Sequence, residues 1–134
     1  MSQPYLALQT VVMPKDANPQ GAIFGGVILS HIDMAGHTGA KHLVIKAGGE
    51  VPVLVTVAFN RVEFKHPVLV GDVLRCLVSL VKMGRTSITV KVWVEVERGA
   101  EVIPVTEAEV VFVGIDNTGP VCRPKPLLPE KRPA

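Results

Sequence analysis

The sequence has little of what marks the commoner specialised classes. Of its 134 residues two are cysteine, one is tryptophan, one tyrosine and four phenylalanine. Cys76 and Cys122 show neither metal-ligand spacing nor a redox pair, which argues against a disulfide framework, a zinc module or a thiol oxidoreductase. The net charge of +2, spread along the chain, is too small for an electrostatic nucleic-acid binder. Apolar residues make up 48%, yet no run is long enough to cross a bilayer, because Pro52 and Thr56 interrupt the densest stretch. The first residues lack the basic start and apolar core of a secretory signal, so a cytoplasmic protein is expected.

What is present is strong alternation. From Thr86 to Arg98, Ile88, Val90, Val92, Val94 and Val96 fall on one face, and Thr89, Lys91, Trp93, Glu95 and Glu97 on the other. This period of two predicts a strand with one face on a core and one partly wet. Tyr5–Val12, Val51–Lys65, Asp72–Met83 and Val102–Ile115 read the same way. Short connections, such as a turn at Gly84-Arg85, make these strands mostly antiparallel.

Phe24–Lys46 differs. It is too long for a strand, contains no proline, opens with Gly25-Gly26 and is followed by Gly48-Gly49 at the position of a helix stop. Ile28, Ile32 and Ala35 form a buried stripe. Glycine costs a free helix about 1 kcal/mol, so Gly36 and Gly39 make sense where another element packs closely. The expected architecture is α+β: a curved antiparallel sheet of about five strands wrapped round one central helix. It forms one domain over residues 1–118, and residues 119–134 form a proline-rich basic tail, extended and partly disordered.

Asp33 is out of place in the middle of that apolar helix, since a carboxylate away from water is costly unless it is paired or has a task. It shares a helix face with Ser30, His37 and Lys41, which fits either a solvated stripe or a general base. His31, Asp33, His37 and His42 point in different directions, so no metal is expected. Upstream, Asp16 and Asn18 lie in a turn-rich loop ahead of Gly25-Gly26. There the helix N-terminus offers free N–H groups to a developing oxyanion, or simply marks a bend in the chain.

Pro14, Asp16, Asn18, Gly21, Phe24, Gly25, Gly26, Leu29, Asp33, Ala35 and Gly36 form a first block of matching positions. Phe64, Pro67-Val68, Val70-Gly71-Asp72 and Gly84-Arg85-Thr86-Ser87 form a second. Over residues 5–116 these resemble the hotdog-fold acyl-CoA thioesterases, specifically the bacterial YciA-like and mammalian cytosolic acyl-CoA hydrolase group. The resemblance implies a hotdog fold and hydrolysis of acyl-CoA without a cofactor, CoA being part of the substrate. It implies Asp33 as general base or nucleophile, Asn18 acting from the opposite subunit, and the Gly26 N–H at the oxyanion. Phe24 and Gly25 would line the substrate site, while Arg85, Thr86 and Ser87 would hold CoA, with Arg85 toward phosphate. Lys125 in the tail would be a further phosphate contact. A homodimer would be the catalytic unit, and three dimers would form a hexamer.

Two other readings exist. Asp16-Ala17-Asn18-Pro19-Gln20 faintly resembles the Asp-x-Asn-Pro-x-His signature of hotdog enoyl-CoA hydratases, but Gln20 stands where the catalytic histidine would be. A sensor that binds acyl-CoA without turning it over would have no need of both Asp33 and Asn18.

Overall fold

The structure is a computed structural model that describes residues 3–50, 53–119 and 123–129. Strand β1 (Tyr5–Val11) is followed by a 3-10 turn at Pro14–Asp16 and then by helix α1 (Gly25–Lys46). Strands β2 (Leu54–Phe64), β3 (Val73–Met83), β4 (Ser87–Arg98) and β5 (Glu101–Asp116) come next, and a short β6 (Arg123–Pro124) ends the order. The long strands are ordered β1-β3-β4-β5-β2 in one antiparallel sheet, which places β1 and β2 at its edges. The helix packs on β3, β4, β1, β5 and β2, giving the expected one-helix, one-sheet architecture.

The alternation of β4 turns directly into burial. Ile88, Val90, Val92, Val94 and Val96 are buried, while their neighbours are half-buried. From the helix, Ile28, Ile32, Ala35, Gly36, Gly39, Ala40 and Val44 face this layer. The small residues set how closely the two approach: a side chain at Gly39 would meet Val78 at 2.5 Å, and one at Gly36 would meet Phe112 at 3.2 Å. Close packing of this kind is what offsets the low helix propensity of glycine. On the opposite side of the sheet, Lys91 Nζ lies 5.1 Å from the Trp93 ring. A cleft of about 390 Å³ near Trp93, Leu77 and Pro104 opens on that outer side, away from the helix and Asp33.

Two details depart from the sequence expectation. The hairpin between β3 and β4 turns on Arg85-Thr86 rather than Gly84-Arg85, since the Gly84 N–H donates to Ser87 O at 2.8 Å. Part of the tail also belongs to the packed body. The Lys125 N–H donates to Gly114 O and the Leu127 N–H to Arg85 O, and Leu127 is buried at 5%. Gly49 and Gly114 leave room for Leu127, which sits within 2.6 Å of where a Gly114 side chain would begin. Pro120, Cys122, Lys131, Arg132 and Pro133 lie outside the described residues.

Strand β2 is the unusual edge. Val53 just ahead of it and Val55, Val57, Phe59 and Phe64 within it are all exposed large hydrophobics. Register shifts after Thr56 and after Asn60 bend the strand, and Arg61 takes φ 52 in the second.

Candidate active site

Helix α1 carries Asp33 at mid-length, half-buried, on the side that meets β2. The Thr56 hydroxyl of β2 donates to Asp33 Oδ1 at 2.6 Å. This bond leaves Oδ2 and the second lone pair of Oδ1 for other partners. Asp33 is therefore an oriented carboxylate on the wall between the helix and an exposed sheet edge. His31, His37 and His42 are each engaged elsewhere: His31 Nδ1 with Val27 O at 2.9 Å, His37 edge-on to Phe112, and His42 stacked on Tyr5 at 3.9 Å. Among the described residues no group of three His, Cys, Asp or Glu side chains is placed to hold a metal. Cys76 is buried, and burial pushes its thiol up to about 12, so it stays protonated and inert as a nucleophile.

The helix begins without a cap. Phe24 at the N-cap makes no side-chain capping bond, and the first turn holds no acidic residue. The Val27 and Ile28 N–H groups both reach Phe24 O, and none of the described residues accepts from the Gly25 or Gly26 N–H. At Gly26 there is open space where a side chain would stand, and the Phe64 ring lies 3.7 Å from that position at Gly25. Phe24 is 53% exposed. Two adjacent donors at the positive end of a helix dipole thus face an accessible space.

Asn18 lies in the loop before this helix end. Its Oδ1 accepts from the backbone N–H groups of Gln20 and Ala22, both at 3.0 Å, which also fixes which amide atom is oxygen. The turn-forming role read from the sequence is therefore real, and it leaves Nδ2 as the group available to a ligand. No hydrogen bond joins Asn18 to Asp33. The seven residue steps of helix from Gly26 to Asp33 place that carboxylate roughly 10 Å further along the axis. Within one chain, Asp33 and the helix N-terminus beside the Asn18 loop therefore lie at different points along the helix.

The downstream motif gathers at one end of the sheet. Gly114 links the pieces: its N–H donates to Thr86 O, and its carbonyl accepts from the Lys125 N–H, both at 2.8 Å. The Arg85 and Lys125 side chains are exposed there, while Thr86 and Ser87 are half-buried. Asp116 sits nearby; hydrogen bonds from Thr118 hold its carboxylate below the ordinary range, and Lys125 lowers it further. Thr56, Phe112 and Ile88 are opposite one another across β2, β5 and β4. The Arg85-Thr86 turn is therefore about 10 Å across and about 10 Å along the sheet from the anchor of Asp33.

These features meet a clear family match. The model of the thioesterase superfamily matches residues 20–103. An uncharacterized acyl-CoA thioester hydrolase of Haemophilus influenzae is 43% identical over 123 residues, covering 88% of this chain and 76% of its own. The acyl-CoA thioester hydrolase YciA of Salmonella typhimurium is 39% identical, covering 91% of this chain and 89% of its own. Among solved structures, a hexameric hotdog-fold thioesterase of Campylobacter jejuni superposes with a TM-score of 0.79 at 38% identity, covering 91% of this chain and 89% of its own. The chain belongs to the hotdog-fold thioesterase superfamily.

In this hotdog thioesterase, Thr56 and the pair Asp72–Arg98 are the structured polar residues that spacing did not single out as site residues. Thr56 showed only as a polar break in an apolar strand. Asp72 stood inside the second motif block, but its partner Arg98 lies 26 residues away at the end of β4.

Proposed function

We propose that this thioesterase hydrolyses acyl-CoA to a free carboxylic acid and CoA, with a homodimer as its catalytic unit. The observation that carries the reading is the Asp33 carboxylate held by Thr56 beside an exposed apolar sheet edge, in a chain whose relatives are named acyl-CoA thioester hydrolases. A thioester is an activated acyl group, so a placed water, a carboxylate and oxyanion donors suffice without a cofactor. Asp33 takes a proton from the attacking water. As the C–O bond forms, charge moves to the carbonyl oxygen, where the Gly26 N–H and Asn18 Nδ2 donate. When the C–S bond breaks, the electron pair leaves with the CoA sulfur, which takes up the proton that Asp33 removed from water. If Asp33 attacks directly, an acyl-aspartyl anhydride forms first and water then opens it.

The dimer reading rests on β2 and on the separation of Asp33 from the helix N-terminus beside the Asn18 loop. An edge strand with exposed Val55, Val57 and Phe59 would invite aggregation unless a partner covers it. A second β2 laid alongside would extend the sheet and bring the partner's loop, with its Asn18, toward Asp33. Arg85 and Lys125 would receive the phosphates, with Thr86 and Ser87 supporting the turn, and Phe24 and Gly25 would border the acyl group. Three such dimers would make a hexamer, the state named for the Campylobacter jejuni structure. CoA thioesters as substrates fit a cytoplasmic location.

The test is release of free thiol from acyl-CoAs of graded chain length, with Asp33→Asn as control. The variant should lose about 10²–10⁴-fold in kcat while keeping its fold and affinity for CoA. Near-full activity in Asp33→Asn would sink the mechanism. Water addition to an enoyl-CoA without thiol release would favour a hydratase, and ligand-dependent melting with neither product a sensor. Single turnover in ¹⁸O-water tests the nucleophilic route, since label enters Asp33 when water opens the anhydride at the Asp33 carboxyl carbon, whereas a general base never acquires it.

A further inference from the structure

Asp72 is 3% exposed, which makes it one of two buried polar side chains among the described residues. Arg98 grips it with two bonds, Nε to Oδ1 at 3.0 Å and Nη2 to Oδ2 at 2.8 Å. The same Nη2 donates to Pro67 O at 3.2 Å, and the Leu69 N–H donates to Asp72 Oδ2 at 2.9 Å. The turn they close runs through Gly71, whose φ of 90 suits glycine, and the Asp72 N–H returns to Leu69 O at 3.1 Å. Both Asp72 oxygens and two nitrogens of Arg98 are therefore spent on fixing the short loop Pro67–Asp72 to the end of β4.

That loop has a second side. The Val68 carbonyl accepts the Ile23 N–H at 2.7 Å, and Leu69 forms an isolated β-bridge with Ala22. Ile23 is bridged in turn to Ala17, and the Ala22 N–H is one of the two donors that fix Asn18 Oδ1. Phe24 N–H donates to Asp16 O, and the next two residues are the open glycines of the helix N-terminus. The other backbone bonds of residues 16–24 are local, with the Asn18, Gly21 and Phe24 N–H groups all bonding within the loop itself, while Ile23 is buried in the core and Ala17 packs against it. The helix N-terminus and Asn18 are thus tied by backbone bonds to the loop 67–72, which is held by Arg98 on one side and by the Val12 backbone pairs to Gly71 and Asp72 on the other.

We propose that Asp72 and Arg98 are positioning residues for thioester hydrolysis, holding the Asn18 amide and the Gly25-Gly26 donors in register through the backbone bridges at Val68 and Leu69. The inference rests on the hydrolytic reading above. Neither residue touches substrate. Their effect is on the aim of oxyanion donors, where a displacement of an ångström costs heavily in rate. The CoA-holding turn at Arg85 lies at the far end of the same β3-β4 hairpin, a full strand length from the clamp. The transition state should therefore suffer more than ground-state binding.

The experiment combines kinetics with hydrogen exchange on the full-length protein. Asp72→Asn and Arg98→Met should lower kcat at least about tenfold with KM for acyl-CoA nearly unchanged. In the same variants, amide exchange across residues 17–24 should rise about tenfold or more, a local opening. Arg98→Lys keeps the charge but not the planar fork, folds more safely, and should fall between them in both readouts. Val78→Ala, a core truncation against Gly39, supplies a control of reduced melting temperature with kcat and loop exchange unaltered. Wild-type kcat and loop exchange in the clamp variants would overturn the proposal. So would equal losses in Val78→Ala, which would reduce the pair to general stability. If the wild type hydrolyses no acyl-CoA, the functional reading fails, and the exchange arm alone still decides whether the clamp holds the loop.

Discussion

Thr56 Oγ1 donates to Asp33 Oδ1 at 2.6 Å, joining an edge strand to the middle of the central helix. A hydroxyl at this point does two things to the carboxylate. It fixes the rotamer, and it spends one lone pair so that the remaining ones face a defined direction. Thr56→Val keeps the branched shape and removes the donor, so kcat should fall about 10–100-fold, in line with a hydrogen bond to a charged group. Thr56→Ser should recover most of that loss. Equal rates in Val and wild type, measured by thiol release under saturating acyl-CoA, would leave the bond without a catalytic role.

The separation of Asn18 and Asp33 within one chain leads to a complementation experiment. Asn18→Ala and Asp33→Ala should each be nearly inactive. Mixed and allowed to exchange subunits, they should regain activity, because a mixed dimer carries one intact site built from two chains. With random exchange about half the dimers are mixed, each with one of its two sites intact, so recovery should approach about one quarter of the wild-type rate. No recovery, with exchange demonstrated by mass-tagged subunits, would place both residues in one chain's site.

The elements of this fold were legible because their signals are local. Alternation marks β4 residue by residue, and Gly25-Gly26 and Gly48-Gly49 bracket the helix to within a residue. Small residues on the helix announced a close neighbour, which proved to be Val78 at Gly39 and Phe112 at Gly36. Asp33 stood out because a carboxylate in an apolar helix is costly. What stayed hidden depends on contacts between distant segments. No periodicity tells that Thr56 will lie against Asp33, or that Arg98 will reach Asp72. Asn18 shows a further limit: one side chain serves as turn former through Oδ1 and offers a donor through Nδ2, and spacing cannot divide the two.

The segment Lys125–Pro129 was hidden for a different reason. Proline and basic residues dominate the tail around it, so it reads as solvated, while Leu127 is buried and Leu128 packs against the core. The Leu127 side chain fills the space left by Gly49 and Gly114, and Arg85 O holds its backbone. Leu127→Ala should destabilise the fold by about 2–4 kcal/mol, as for a buried leucine elsewhere. Truncation after residue 118 should do at least as much and should also raise KM for acyl-CoA, since the Arg85 turn loses its support. Lys125→Ala should leave the melting temperature alone and raise KM modestly, more at low than at high salt. Chemical denaturation and salt-dependent kinetics on the three variants separate the packing role of this segment from an electrostatic one.

Acid should find the clamp through Asp72. The Arg98 hydrogen bond is the largest influence on its carboxyl and lowers its pKa from the usual 3.8; burial opposes this, and the Leu69 N–H and the Arg98 charge add to the lowering. A carboxyl that binds its proton less readily when folded stabilises the folded state above its ordinary pKa, and loses that contribution as pH falls through the lowered value. Asp116 is shifted in the same direction by Thr118, so the wild-type curve alone cannot assign the loss. The difference between wild type and Asp72→Asn can, because Asp116 is common to both. Thermal melts at constant ionic strength should show Asp72→Asn well below wild type at neutral pH. The two curves should draw together once the pH drops beneath the ordinary carboxylate range. If they remain parallel well beneath that range, the Arg98 bond does not depend on the ionised form of Asp72, and the clamp holds its loop by packing alone.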